Sequence, residues 1–273
     1  MIFFAHEQNP LNPGDASCSP YAYFDFGSAN SKILSVLDLG KEQVSSSDTV
    51  ILGGGGMLND MYLPILESLV QKNKKTIFWG IGTNRHFWPG LSQDLLKNSI
   101  SRYRVLLQER LRLLVCRSIY TKKENSILQG SAKVGMRDFQ PNFEILPCSS
   151  CLHPIFDEFP ISKTIENGII GIFGHSDFLK IQQFSGSKTF EYIGRDIAYV
   201  VRSIASCSSI VTSSYHCAYW AMLLGKRVSI RSFSTKHIHL KPLLHLAKSQ
   251  GLSFLDWARK KNLEFRNEIE QFL

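Results

Sequence analysis

No apolar run in this chain approaches the ~18–20 residues that a helix needs to cross a bilayer. The N-terminal MIFFAHEQNP turns polar too soon for a signal peptide. Both absences lead to the expectation of a cytoplasmic protein. The chain also lacks the phosphate-binding pattern GxxxxGKS/T and the dinucleotide fingerprint GxGxxG. Six cysteines are scattered at 18, 116, 148, 151, 207 and 217, the usage of a reducing compartment, where buried Cys acts as a small hydrophobe. Cys148 and Cys151, with His153 beyond them, have no second pair to complete a structural zinc site, so no metal is expected and a packed turn fits them better. The chain has no basic stripe with interleaved aromatics. Its 31 basic and 23 acidic residues leave a diffuse +8, which argues against a nucleic-acid partner. An anionic small molecule or an anionic membrane surface suits that surplus as well. There is no internal repeat and no low-complexity tract.

What is present is alternation. The 273 residues, 44% of them hydrophobic, suffice for one large domain or two ordinary ones. Short β-branched runs give way to a polar or glycine turn and then to a helical pattern. DTVIL leads to GGGG and MLNDMYLPILESLVQKN, KKTIFW to GIGTNR, LRLLVC to RSIYTKKENSILQG, and AKVGM to RDF. NGIIGIF leads to GHSDF, and SSIVT to SSYHCAYWAMLLG, after which KRVSI starts a further strand. This order predicts an α/β fold with parallel sheets in βαβ units. The stretch PCSSCLHPIFDEFPISKTIEN breaks the rhythm with three prolines, dividing the chain into halves at 1–150 and 151–273. The closing segment reads as two helices separated near Gly251.

In open parallel sheets ligands bind outside the carboxyl ends of the strands, where turns and helix N-termini face one crevice. The unusual polar residues fall at such ends: Gly53 to Gly56, Gly80 and Gly82, Arg117, Arg137 with Asp138, His175, and Ser213 to His216. Each has a plainer reading. The glycine run suits close strand–helix packing as well as a backbone cradle for phosphate or carboxylate. Arg117 and Arg137 suit surface salt bridges, and His175 a satisfied turn histidine. His216 stands out, because an imidazole at a strand-to-helix junction titrates near neutral pH and serves as acid or base.

Several of these segments together, VILGGGGMLND, GIGTN, the strand ends at Arg117 and Arg137, and IVTSSYHCAYWAMLLGKRVSI, resemble the polysaccharide pyruvyl transferase family. LNPGDASCSPYAYF adds a family-like Asn-x-Gly-Asp at Asn12, Gly14 and Asp15, so the likeness runs from about residue 10 to about 232. The resemblance implies two Rossmann-like domains facing a central cleft, a GT-B-like arrangement. It implies transfer of the pyruvyl group of phosphoenolpyruvate onto two hydroxyls of a sugar, as a ketal, in a capsular, exopolysaccharide or lipid-linked cell-surface glycan. No cofactor is implied. A lipid-linked acceptor would bring the protein to the inner face of the membrane as a peripheral partner.

On that resemblance His216 is the acid/base group, with His175 as a second candidate and Asp15 as a further catalytic residue. Asp15 orients an acceptor hydroxyl or caps its helix. The donor's phosphate and carboxylate fall to Gly54, Gly55, Gly56, Gly82, Ser213 and Ser214 and to Arg117 or Arg137, since such anions call for arginine forks and backbone N–H groups. The chain departs from the family pattern at Ser214 and Tyr215, where an Arg-Leu pair usually precedes the histidine, and at Ser118 and Cys217. Losing that guanidinium removes a charge-assisted contact worth ~1.5–3 kcal/mol unless another arginine replaces it. Two other readings stay open. A GT-B-type glycosyltransferase would use a nucleotide sugar, with Asp177 or Glu191 on the ribose, although a DxD-like metal-binding pair is absent. A non-catalytic module of a glycan-synthesis complex would bind sugar without turnover.

Overall fold

A computed structural model describes residues 1–27, 30–84, 121–138, 142–159, 168–174, 185–231 and 235–273. The chain is α/β, built on two parallel sheets. The first holds β1 (Ile2–His6), β2 (Ser31–Ser35), β3 (Thr49–Gly53), β4 (Thr76–Ile81), β5 (Lys133–Met136) and β6 (Glu144–Ile145), in the order β2-β1-β3-β4-β5-β6. The second holds β7 (Ile170–Gly174), β8 (Ser187–Glu191), β9 (Ser209–Thr212) and β10 (Arg227–Ile230), in the order β10-β9-β7-β8.

The strand sequences explain these places. TVILG and TIFWGI are buried along their whole length, as central parallel strands covered on both faces must be. SKILS and SKTFE carry lysine and stay half exposed, which suits edge positions. Alternate residues of the first sheet feed two cores. Phe3, Ala5, Val50, Leu52 and Phe78 pack with helices α3 (Leu63–Lys72) and α4 (Lys122–Gln129). Phe4, Ile51, Ile77 and Trp79 point to the other face. There they meet Phe265 and Ile269 of α8 (Phe254–Ile269), and the Trp79 indole N–H donates to Asn262 Oδ1 at 2.8 Å. The final helix thus lies against the first sheet. It follows α7 (Leu240–Ser249) across a turn at Gly251, whose φ of +69° is a conformation glycine adopts freely.

Both sheets follow one winding rule. In each, the first strand sits between the second and the third, so the direction of winding reverses beside it, between β1 and β3 and between β7 and β9. Such a reversal opens a crevice at the carboxyl ends of the two strands. The cysteine segment Cys148–Glu158 forms two 3-10 turns whose Cys151, Ile155 and Phe156 are buried in the core of the second sheet. Tyr219 O–H donates to the Cys148 carbonyl and Trp220 N–H to Ser150 Oγ, fixing that segment to helix α6 (Tyr215–Leu223). Among the described residues no helix is long and apolar enough to cross a membrane.

Candidate functional site

The carboxyl end of β1 leads into a turn and the four-residue helix α1 (Pro13–Ala16). Asn12 caps that helix, its Oδ1 accepting from Gly14 N–H, so Asp15 is not the cap; Asn12 Nδ2 donates instead to Asp15 Oδ2 at 2.6 Å. At the carboxyl end of β9, Ser214 caps α6, its Oγ accepting from Cys217 N–H, while Ser214 N–H donates to Thr212 Oγ1. Capping is thus the work Ser214 does in this structure. Ser213, half-buried, precedes it.

His216 joins the two turns. Its ring lies directly on Gly14, where an added Cβ would come 1.9 Å from Nδ1. Trp220 is a further neighbour, 5.5 Å between ring centroids, and Cys148 Sγ is 3.8 Å from Nε2. Burial, together with the positive charges of Arg137, Lys236 and His237, pushes the imidazole well below its ordinary range. It is therefore neutral at neutral pH. Asp15, one residue from this contact and 9% exposed, moves the other way: burial and the nearby Glu7 carboxylate raise it to about 7, against the pull of Lys236, Arg137 and the Asn12 hydrogen bond.

Arg137 follows β5 and is 2% exposed, not a surface cation. Its Nη2 donates to the Thr83 carbonyl at 3.0 Å, and its Nε lies 3.7 Å from Asp138 Oδ1. Asp138 also accepts from Thr83 N–H at 2.7 Å and Thr83 Oγ1 at 3.2 Å. The guanidinium carbon stands 4.4 Å from the centroid of the Tyr215 ring, a buried cation–π contact. The arginine at the end of β5 thus reaches the residue before His216.

The glycines serve this packing. Gly82 has no side chain because Arg137 Nε and the Asp138 carboxylate occupy its place, 2.5 and 2.7 Å from an added Cβ. Gly56 lies under Asn84 and near Arg137 Nη2, and Gly54 lies against Cys18. Gly55 has open space where a Cβ would be. The expectation that the glycine run opens a helix is corrected: Gly54 N–H donates to the Trp79 carbonyl, and α3 begins only at Leu63. Gly54 and Gly55, at φ +68° and +81°, turn the chain, and Asn59 organises the next turn through the N–H groups of Met61 and Tyr62.

Lys236, His237 and His239, which follow β10, were not singled out by sequence reasoning. Lys236 is half-buried, held below its ordinary value by burial and by Arg137. His237 and His239 are buried, and His237 meets the Tyr215 ring edge-on at 6.1 Å. The rule that marks polar residues at strand ends would have found all three in STKHIHLK, just past the KRVSI strand. Arg117 and His175, together with Ser118, Asp177 and the LRLLVC run, lie outside the described residues. Glu191 ends the edge strand β8 and is exposed. Among the described residues no cluster of three or more His, Cys, Asp or Glu side chains is placed to hold a metal ion.

The arrangement joins an acid poised near neutrality, a neutral imidazole, a buried guanidinium and a lysine at the carboxyl ends of two parallel sheets. Such a set can bind an anion and move protons beside it. No family model matches the chain, and neither a curated protein nor a solved structure matches it.

Proposed function

We propose that the chain is a polysaccharide pyruvyl transferase-like enzyme with a GT-B-like pair of Rossmann-like domains. On this reading it moves the pyruvyl group of phosphoenolpyruvate onto two hydroxyls of a capsular, exopolysaccharide or lipid-linked glycan sugar. One observation carries the reading. The family's usual arginine before the histidine is replaced by Ser214, and the buried guanidinium of Arg137 lies over the adjacent Tyr215, 4.4 Å from its ring centroid. A cation from β5 is thus supplied next to where the pattern lacks one.

The chemistry follows from the charge states. Neutral His216 takes a proton from an attacking hydroxyl, whose oxygen bonds to C2 of the donor. Asp15, whose carboxyl burial raises to about 7, delivers a proton to the methylene carbon, which becomes the methyl group. The second hydroxyl bonds to C2 as the C2–O bond to phosphate breaks, and its proton leaves with the phosphate. Each group begins in the form its step requires. A lipid-linked acceptor would place the enzyme at the inner face of the membrane.

The test is phosphorus NMR of phosphoenolpyruvate with a pool of hexosides bearing free diols, for wild type and Asp15→Asn. Acceptor-dependent release of inorganic phosphate, lost in Asp15→Asn, is expected. Phosphoenolpyruvate left intact while a nucleotide sugar is consumed would replace this reading with glycosyl transfer.

A further inference from the structure

We propose that Tyr215, His239 and Arg137 form a carboxylate-binding subsite beside the Arg137–Asp138 pair. The phenol oxygen of Tyr215 and Nε2 of His239 are buried, in residues 3% and 8% exposed, and neither has a hydrogen-bond partner among the described residues. A polar atom stripped of water with nothing in its place is costly and uncommon in native proteins. Phenylalanine would keep the stacking under Arg137 without that cost, so the retained hydroxyl calls for a ligand. Tyr215 carries such an atom directly under the Arg137 guanidinium, and His239 carries a second.

Both residues feel the same charges. Arg137 stacks on the Tyr215 ring, and Arg137 and Asp138 act electrostatically on Tyr215 and on His239 alike. Asn84, three residues past β4, adds a third polar atom without a partner among the described residues, and its Cβ and Arg137 Nη2 both crowd the missing side chain of Gly56. Its amide can present either end to a ligand.

The chemistry of the ligand follows from these donors. A phenol and a neutral imidazole each offer one hydrogen bond, and the guanidinium, whose Nη2 already donates to Thr83 and whose Nε faces Asp138, adds positive charge beside them, a set that suits a carboxylate. The Asp138 carboxylate already offsets the Arg137 charge, at 3.7 Å from its Nε. A dianionic phosphate would meet that carboxylate with more repulsion than a singly charged carboxylate does. Assigning the bound carboxylate to phosphoenolpyruvate rests on the pyruvyl-transfer reading, whereas the subsite itself does not.

The test is an NMR titration of the full chain with three probes: phosphoenolpyruvate, pyruvate, which keeps the carboxylate and lacks the phosphate, and inorganic phosphate. Wild type, Tyr215→Phe and His239→Gln are compared, and their melting temperatures are recorded first. Tyr215→Phe deletes an oxygen with no partner among the described residues, so its fold and melting temperature are expected to hold. Pyruvate and phosphoenolpyruvate are expected to bind wild type and to weaken about tenfold or more in each variant, the worth of one hydrogen bond to a charged group. Inorganic phosphate is expected to respond equally to all three proteins. If pyruvate weakens in the variants while phosphoenolpyruvate binds none of them, the subsite stands and the pyruvyl-transfer reading falls. If phosphoenolpyruvate binds all three equally, or pyruvate does not bind wild type, the subsite is overturned.

Discussion

Adding one methyl group at Gly14 tests whether the turn after β1 really meets the turn after β9. The new Cβ would stand 1.9 Å from His216 Nδ1, 2.3 Å from Cγ and 2.6 Å from Cε1, all closer than side-chain carbons come in real structures. Trp220 and Cys148 also pack against the imidazole and limit its room to move. Relief therefore requires the two turns to part by roughly an ångström, and overpacking of this kind costs about 1–3 kcal/mol. For a chain of this size that lowers the melting temperature by roughly 2–12 °C. The assay is thermal unfolding of wild type, Gly14→Ala, His216→Ala and the double variant. With the imidazole gone the methyl group has room, so the double variant is expected to be more stable than the sum of the single losses implies, by about 1 kcal/mol or more. Losses that add to within about 0.5 kcal/mol would show that the two residues do not touch.

Three further outcomes follow from the same packing. Burial raises the Asp15 carboxyl from 3.8 to about 7, so the folded chain keeps a proton that the unfolded chain has released. This contribution to stability is whole below about pH 4 and declines as pH rises to about 7, by on the order of 4 kcal/mol. Asp15→Asn should abolish that decline in urea unfolding measured from pH 4 to 8. It should leave the opposite effect of His216, whose lowered value costs stability as pH falls below its unfolded value near 6.5. Arg137→Met leaves the fully buried Asp138 without its cation and should cost about 3–5 kcal/mol, read as a lower urea midpoint. Phe265→Ala empties the space beside Trp79 on the first sheet and should cost about 3–5 kcal/mol, with a change in tryptophan fluorescence on the native baseline.

Much of the architecture could be read along the chain because strands buried on both faces are written as unbroken apolar runs. DTVIL, KKTIFW and SSIVT each became a strand, and Gly251 separates the last two helices. The placing of polar residues at strand ends also singled out Arg137 and His216, while Asp15 entered only through the family-like Asn-x-Gly-Asp. What was not legible is three-dimensional. Arg137 has a surface ion pair as its plainer sequence reading, and only the fold shows that Gly82 makes room to bury it with Asp138. Lys236, His237 and His239 look like ordinary polar residues after a short strand until the turn brings them to Tyr215 and Arg137. The helix predicted straight after GGGG starts later, because two left-handed glycines and the Asn59 turn intervene. The shared winding of the two sheets leaves no sequence repeat, since strand order depends on which edge each connection returns to and not on residue identity.

The most direct test of the account is ligand-dependent thermal stabilisation of the wild-type chain, with phosphoenolpyruvate beside a panel of nucleotide sugars. A ligand that binds only the folded state adds ~2.7 kcal/mol at a hundred times its dissociation constant, enough for a clear rise in melting temperature. A rise with phosphoenolpyruvate and none with the nucleotide sugars is what the proposed pyruvyl-transfer reading predicts. A rise with one nucleotide sugar and none with phosphoenolpyruvate would contradict the account.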